Sequence, residues 1–290
     1  MSMRALLAVL DYRASNRSLL ETVCAFGSRW QARLEVLLPY PGLWNPDLMS
    51  VADESMRERI EQAVTQVHNH EASFLGKARQ EFDDSCRRFH LPAVADETAP
   101  PPSAHWDAYT DFDRGCRVVR QARLADLVFV GRPVADSGAG YEDLINQILD
   151  GSGRPILVVP PRPAAAAYGR MAIAWNGSAE SARAVAAAMD LIGAADAVDI
   201  IVAESARTPG SAGRRLGAYL ACHDIQAGRH VLADRRNRSA GEAILDKCAE
   251  MKSDLLVMGA YTHTRLQERM FGGVTRHVMA HAQLPVLMAR

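Results

Sequence analysis

The sequence contains no C-x-x-C pair, and its five cysteines, Cys24, Cys86, Cys116, Cys222 and Cys248, are scattered and odd in number. That argues against a disulfide scaffold or a zinc site and for reduced thiols. Lysine is nearly missing: Lys77, Lys247 and Lys252 are the only ones, and the positive charge is otherwise arginine. This bias reads as genome composition ahead of phosphate recognition. An excess of one sign of charge is missing too. The 33 basic and 34 acidic residues leave a formal charge of −1, so no overall field favours nucleic acid or an anionic membrane. No apolar run reaches the ~18 residues that span a bilayer. The run Ala5–Leu10 is stopped by Asp11 and is too short for a secretory signal. The expectation is a cytoplasmic chain with neither a nucleic-acid nor a membrane partner. Two catalytic motifs are also missing. There is no G-x-x-x-x-G-K-[ST] phosphate loop and no G-x-S-x-G elbow. No nucleophile–base pair has motif support, so an efficient enzyme is not argued for. His277 and His281 lie four apart, but no third metal ligand is evident nearby, so they read as a helix face.

What the chain does contain is apolar content. At 48% hydrophobic over 290 residues, it can bury a core and has room for two domains. Short, wholly apolar runs alternate with helical spacing, as in a parallel sheet covered on both faces. In the first half the strands are read at Leu6–Leu10, Leu34–Leu38, His105–Tyr109, Leu127–Val130 and Ile156–Val159. Helices are read at Ser15–Trp30, Glu54–Phe89 and Phe112–Ala122, and Pro39–Asp47 reads as a loop. In the second half the strands are Met171–Trp175, Val198–Val202, Arg229–Leu232, Leu255–Met258 and Val286–Ala289. The helices there are Ser181–Ile192, with Ser178 as N-cap, then Ser211–His223, Ser239–Met251 and Val274–Ala282.

The second half restarts the first. Ala125–Gly131 matches Ser253–Gly259, and Arg154–Val159 matches Leu284–Ala289, in the same order. The first copy is longer, and the extra length fits the helical region Glu54–Phe89. This divides the chain into repeat one, residues 1–161, and repeat two, residues 168–290, with Pro160–Ala167 as linker. Alternating strands and helices require parallel sheets with right-handed crossovers, five strands to each repeat.

The most informative stretch is Leu255–Arg290. A buried strand ends in Gly259, a polar loop follows, and Gly272-Gly273 opens a helix. A strand, a glycine loop and a helix N-terminus together form the usual anion cradle of α/β folds. Gly259, then Thr262, then nine residues, then Gly272-Gly273 resembles the signature of the universal stress proteins. There the pattern is Gly, two residues, Gly, nine residues, Gly and Ser or Thr. Thr262 replaces the second glycine here and Gly273 replaces the Ser/Thr, while Thr275 lies two residues further on.

The resemblance implies two tandem α/β sandwiches of the adenine-nucleotide alpha hydrolase-like kind, each with sheet order 3-2-1-4-5. It implies that ATP, with magnesium, lies across the crevice between strands 1 and 4, where the direction of chain travel reverses. The residues implied are Ala174, Trp175, Asn176, Gly177, Ser178, Val231, Gly259, Thr262, His263, Arg265, Gly272, Gly273, Val274 and Thr275. Asn176 stands where the family has an Asp; it also reads as an Asx-turn that starts the helix. Repeat one departs from the pattern after Gly131, where Arg132-Pro133 follows, and reads as a structural copy. The resemblance also implies pairing of the two last strands within the chain, a pseudo-dimer, with a homodimer of chains as a further expectation. The function implied is adenine-nucleotide sensing in stress with little or no hydrolysis. A protein that binds a partner or small molecule instead, and a slow ATPase, remain open alternatives.

Overall fold

The structure is a computed structural model that describes residues 3–12, 14–40, 72–110, 114–137, 139–162, 168–204, 211–233, 238–260 and 273–290. The loop expected at Pro39–Asp47 and the first part of the helix expected over Glu54–Phe89 lie mostly outside these residues. The first half runs β1 (Ala5–Val9), α1 (Arg17–Trp30) and β2 (Arg33–Tyr40), then a helix over residues 72–88 (α2). It continues through β3 (Ala93–Val94), β4 (Ser103–Thr110), α3 (Arg114–Ala122), β5 (Leu127–Gly131), α4 (Ala139–Gly151) and β6 (Ile156–Val159). The second half runs β7 (Arg170–Ala174), α5 (Ala179–Ala187), α6 (Met189–Gly193), β8 (Ala197–Ala203) and α7 (Ala212–Ala221). It ends with β9 (Ala227–Leu232), α8 (Ala240–Glu250), β10 (Leu255–Gly259), α9 (Val274–His281) and β11 (Val286–Ala289).

All the strands among the described residues join one 11-stranded sheet in the order β3-β4-β2-β1-β5-β6-β11-β10-β7-β8-β9. Each half thus carries the 3-2-1-4-5 order, and the first half adds the two-residue β3 at its edge. Every pairing is parallel except β6 with β11, where Val158 faces Val286 and Leu157 faces Leu287. The two last strands cover each other's open edge, so the sheets of the two halves continue into one another.

The apolar runs are explained by burial on both sides. Along β1, Leu6, Ala8 and Leu10 enter one core with Leu20, Val23 and Phe26 of α1. Leu7 and Val9 enter the other with Ile145 and Ile148 of α4. Both cores pass through the seam, one by Leu157 and Leu287, the other by Ile156 and Val286.

Three expectations need correcting. Helix α4 lies where sequence reading places no helix: Gly138 and Gly140 flag a loop, whereas Tyr141, Leu144, Ile145, Ile148 and Leu149 supply an apolar face, all buried. The single helix expected over Ser181–Ile192 is two, because Ala188 turns to φ −93°, ψ 0° between them. Pro39 lies within β2 and does not end it; proline is tolerated where its nitrogen is not needed by the ladder.

Candidate functional site

In the second half, β7 and β10 are parallel neighbours, with Ala174 beside Met258. Trp175 and Gly259 therefore leave the sheet at the same edge. From there β7 leads to α5 on one face, where Ala184 and Val185 are buried. After β10 the chain reaches α9 on the other face, where Val278 and Met279 are buried. The parting of the two connections opens a crevice at the strand C-termini.

The residues around it are placed as follows. Trp175 donates its N–H to Ile201 O at 2.9 Å and packs against the first core. Asn176 Oδ1 accepts from Ser178 N–H at 3.1 Å, the Asx-turn contact. Gly177 takes φ +76°, a left-handed conformation that favours glycine. Ser178 caps α5, accepting from Ser181 N–H at 3.2 Å. Gly259 is pressed onto the first turn of α5: a Cβ there would lie 2.5 Å from Ser181 N and 2.8 Å from the Glu180 carbonyl carbon. Only glycine ends β10 at that distance. Gly273 is the N-cap of α9 in an extended conformation, φ −63° and ψ 148°. Val274 packs on the second core, and Thr275 is buried in the first turn. The α9 first turn has no acidic residue, whereas that of α5 has Glu180, held by Arg183 at 3.0 Å. An anion is therefore better received by α9.

The structure brings together Ala174 through Ser178 and Gly259 at one edge. Val231 sits on β9, paired with Val202, two strands away from β7, so roughly 10 Å from it at ordinary strand spacing. Thr262, His263, Arg265 and Gly272 lie outside the described residues. Ser181, whose N–H meets Gly259, is a contact that sequence reading misses. Its spacing from the Ser178 cap marks the α5 start but gives no sign of β10.

The matching crevice of the first half is filled by the chain itself. Tyr141 of α4 reaches between β1 and β5. Its hydroxyl donates to Val9 O at 3.0 Å and accepts from Gly131 N–H at 2.9 Å. Burial and the nearby Asp11 carboxylate push the phenol's pKa well above its ordinary value. At the start of α1, Asn16 Oδ1 accepts from Asp11 N–H at 2.9 Å, and its amide donates to Asp11 O at 2.8 Å. Glu81 of α2 accepts from Ser15 Oγ at 3.2 Å and from Asn16 N–H at 3.3 Å. A carboxylate of the protein thus occupies the start of α1, the counterpart of α5.

Across the seam, Arg132 donates to Ala280 O at the last turn of α9, and Arg290 pairs with Asp150. Among the described residues no helix is long and apolar enough to cross a membrane.

Residues 167–290 match the universal stress protein family. Comparison with curated proteins gives no match. A solved universal stress protein from Archaeoglobus fulgidus DSM 4304 superposes with a TM-score of 0.64 and 15% identity, covering 98% of this chain and 98% of that one. A functionally unknown protein from Pseudomonas aeruginosa PAO1 superposes with a TM-score of 0.55 and 15% identity, covering 99% of this chain and 92% of that one. At such identity the likeness is one of fold, and it extends over both halves. With the family's match over the second half and its switch-point crevice in place, residues 167–290 are a domain of the universal stress protein family.

Proposed function

We propose that this chain is a stress-response protein whose second half binds an adenine nucleotide, ATP with magnesium, across the β7–β10 crevice and turns it over slowly or not at all. The observation that carries this reading is Gly259. Its missing side chain lets the end of β10 lie against the α5 start, so both connections border one cleft. The adenosine end would lie by Trp175–Ser178, and the phosphates by the Gly273, Val274 and Thr275 end of α9. Among the described residues no group of three or more His, Cys, Asp or Glu could hold a metal. Magnesium would arrive on the phosphates, its ordinary mode of binding.

Among the described residues of the first half, Tyr141 fills the equivalent space between β1 and β5, and Glu81 occupies the start of α1. One nucleotide per chain is expected. Equilibrium titration with ATP is the test. Saturation at one equivalent supports the reading, and no binding at millimolar ATP removes it. Phosphate release above background at saturating ATP would favour the ATPase alternative. The homodimer expectation is a separate proposal, read by sedimentation of the full chain.

A further inference from the structure

Helix α2 is anchored on α1 by more than packing. Arg88 pairs with Glu21 at 2.9 Å, and Glu21 also holds Arg17 at 3.0 Å. Phe82 of α2 sits 5.3 Å from the Trp106 ring. Beneath these contacts, Cys24 of α1 and Cys86 of α2 meet with their sulfurs 4.0 Å apart. Cys24 is 0% exposed and Cys86 3%.

The two thiols differ in access. Cys86 lies in the wall of a cavity of about 460 Å³, together with Asp83, Arg87, His90, Leu91 and Pro92. Cys24 lies behind it. The cavity gives a small, polar oxidant a route to the Cys86 sulfur that Cys24 lacks. We propose that Cys24 and Cys86 are a peroxide-reactive dithiol, oxidised by a hydroperoxide entering this cavity to a disulfide that ties α1 to α2.

The steps balance. The Cys86 thiolate attacks one peroxide oxygen, the O–O bond breaks, and Cys86 becomes a sulfenic acid while hydroxide leaves and is protonated to water. The Cys24 thiol then gives up its proton. Its sulfur displaces hydroxide from the Cys86 sulfur, the S–S bond forms, and that hydroxide takes the proton to become a second water. Two thiols lose two electrons in all, and hydrogen peroxide is reduced to two waters. A disulfide holds its sulfurs at about 2.05 Å, so the pair, 4.0 Å apart, must close by about 2 Å. Cys24 fits the resolving role. It lies behind Cys86, fully buried, and the hydrogen bond with Cys86 and then burial raise its pKa.

The experiment treats the native full-length chain with hydrogen peroxide and maps its peptides by mass spectrometry. The expected result is a loss of two hydrogens in one linked pair, the Cys24 peptide joined to the Cys86 peptide, reversed by dithiothreitol. In Cys24→Ala, Cys86 should instead be trapped as sulfenic acid by dimedone. The pair should predominate over links to the exposed Cys116 and Cys222 in the native chain and lose that preference in urea. Recovery of Cys24 and Cys86 as free thiols after Cys116 and Cys222 are fully oxidised would overturn the proposal. So would a Cys24–Cys86 link that forms only in urea.

Discussion

Replacing Tyr141 by phenylalanine removes one oxygen and keeps the ring that fills the first-half crevice. That oxygen serves two backbone groups, the Val9 carbonyl and the Gly131 N–H. An average hydrogen bond nets about 0.5–1.5 kcal/mol, and a buried group left without a partner costs about 1–3 kcal/mol. The Gly131 N–H is a single donor and bears the larger loss, whereas the Val9 carbonyl has a second lone pair. Together they predict a loss of about 2–4 kcal/mol for Tyr141→Phe. At a urea m-value of about 3 kcal/mol/M the unfolding midpoint should fall by about 1 M with the slope unchanged. Circular dichroism and tryptophan fluorescence should report the same midpoint. The control is Tyr219→Phe, whose residue is 43% exposed and should change stability by less than about 0.5 kcal/mol. If Tyr141→Phe is as mild as the control, the hydroxyl is not what holds β1 and β5 at this point, and the account of a self-filled crevice is wrong.

Three further outcomes follow. Burial pushes the Tyr141 and Tyr168 pKa values well above the ordinary phenol value. Their contribution to stability is therefore complete below about pH 10 and declines above it, as the unfolded chain releases protons that the native chain keeps. The slope should be about 2.7 kcal/mol per pH unit for the two, and in an absorbance titration both should ionise only on unfolding. Cys248, pushed by burial to about 12, and the fully buried Cys24 should resist a thiol reagent at pH 8. The exposed Cys116 and Cys222 should react at once, and all five thiols should react in denaturant. Gly259→Ala places a methyl 2.5 Å from Ser181 N. It should cost about 1–3 kcal/mol in urea unfolding by displacing α5, and it should weaken ATP binding along with it.

Much of the fold is written in local pattern. Runs such as Leu127–Val130 and Val286–Ala289 are too apolar to lie anywhere but inside a sheet with both faces covered, and the strands read there fall within a residue or so of β5 and β11. Ser178 and Ser239 mark their helix starts because a hydroxyl cap is a one-turn interaction, and both accept from the N–H three residues on. What fails is whatever depends on a distant partner. Helix α4 has Gly140 in its first turn, which signals a loop until β1 and β5 supply a surface for Tyr141 and Ile145. Strand β3 exists only because β4 lies beside it, with Val94 next to His105. The candidate site divides in the same way. The Asn176-Gly177-Ser178 turn and Gly259 stand out as residue types, yet the seating of Gly259 on Ser181 comes from packing across the sheet. The part played by Tyr141 leaves no mark in sequence at all, because its two partners are backbone atoms 132 and 10 residues away.

The antiparallel seam has one more consequence. Because β6 and β11 run against each other, the two crevices open toward opposite ends of the molecule, one stoppered by a phenol and the other lined by glycine. Nothing bound at the open end can touch the stoppered one. Any coupling between them would have to pass through the strands that both halves share, across Leu157 and Leu287 at the seam.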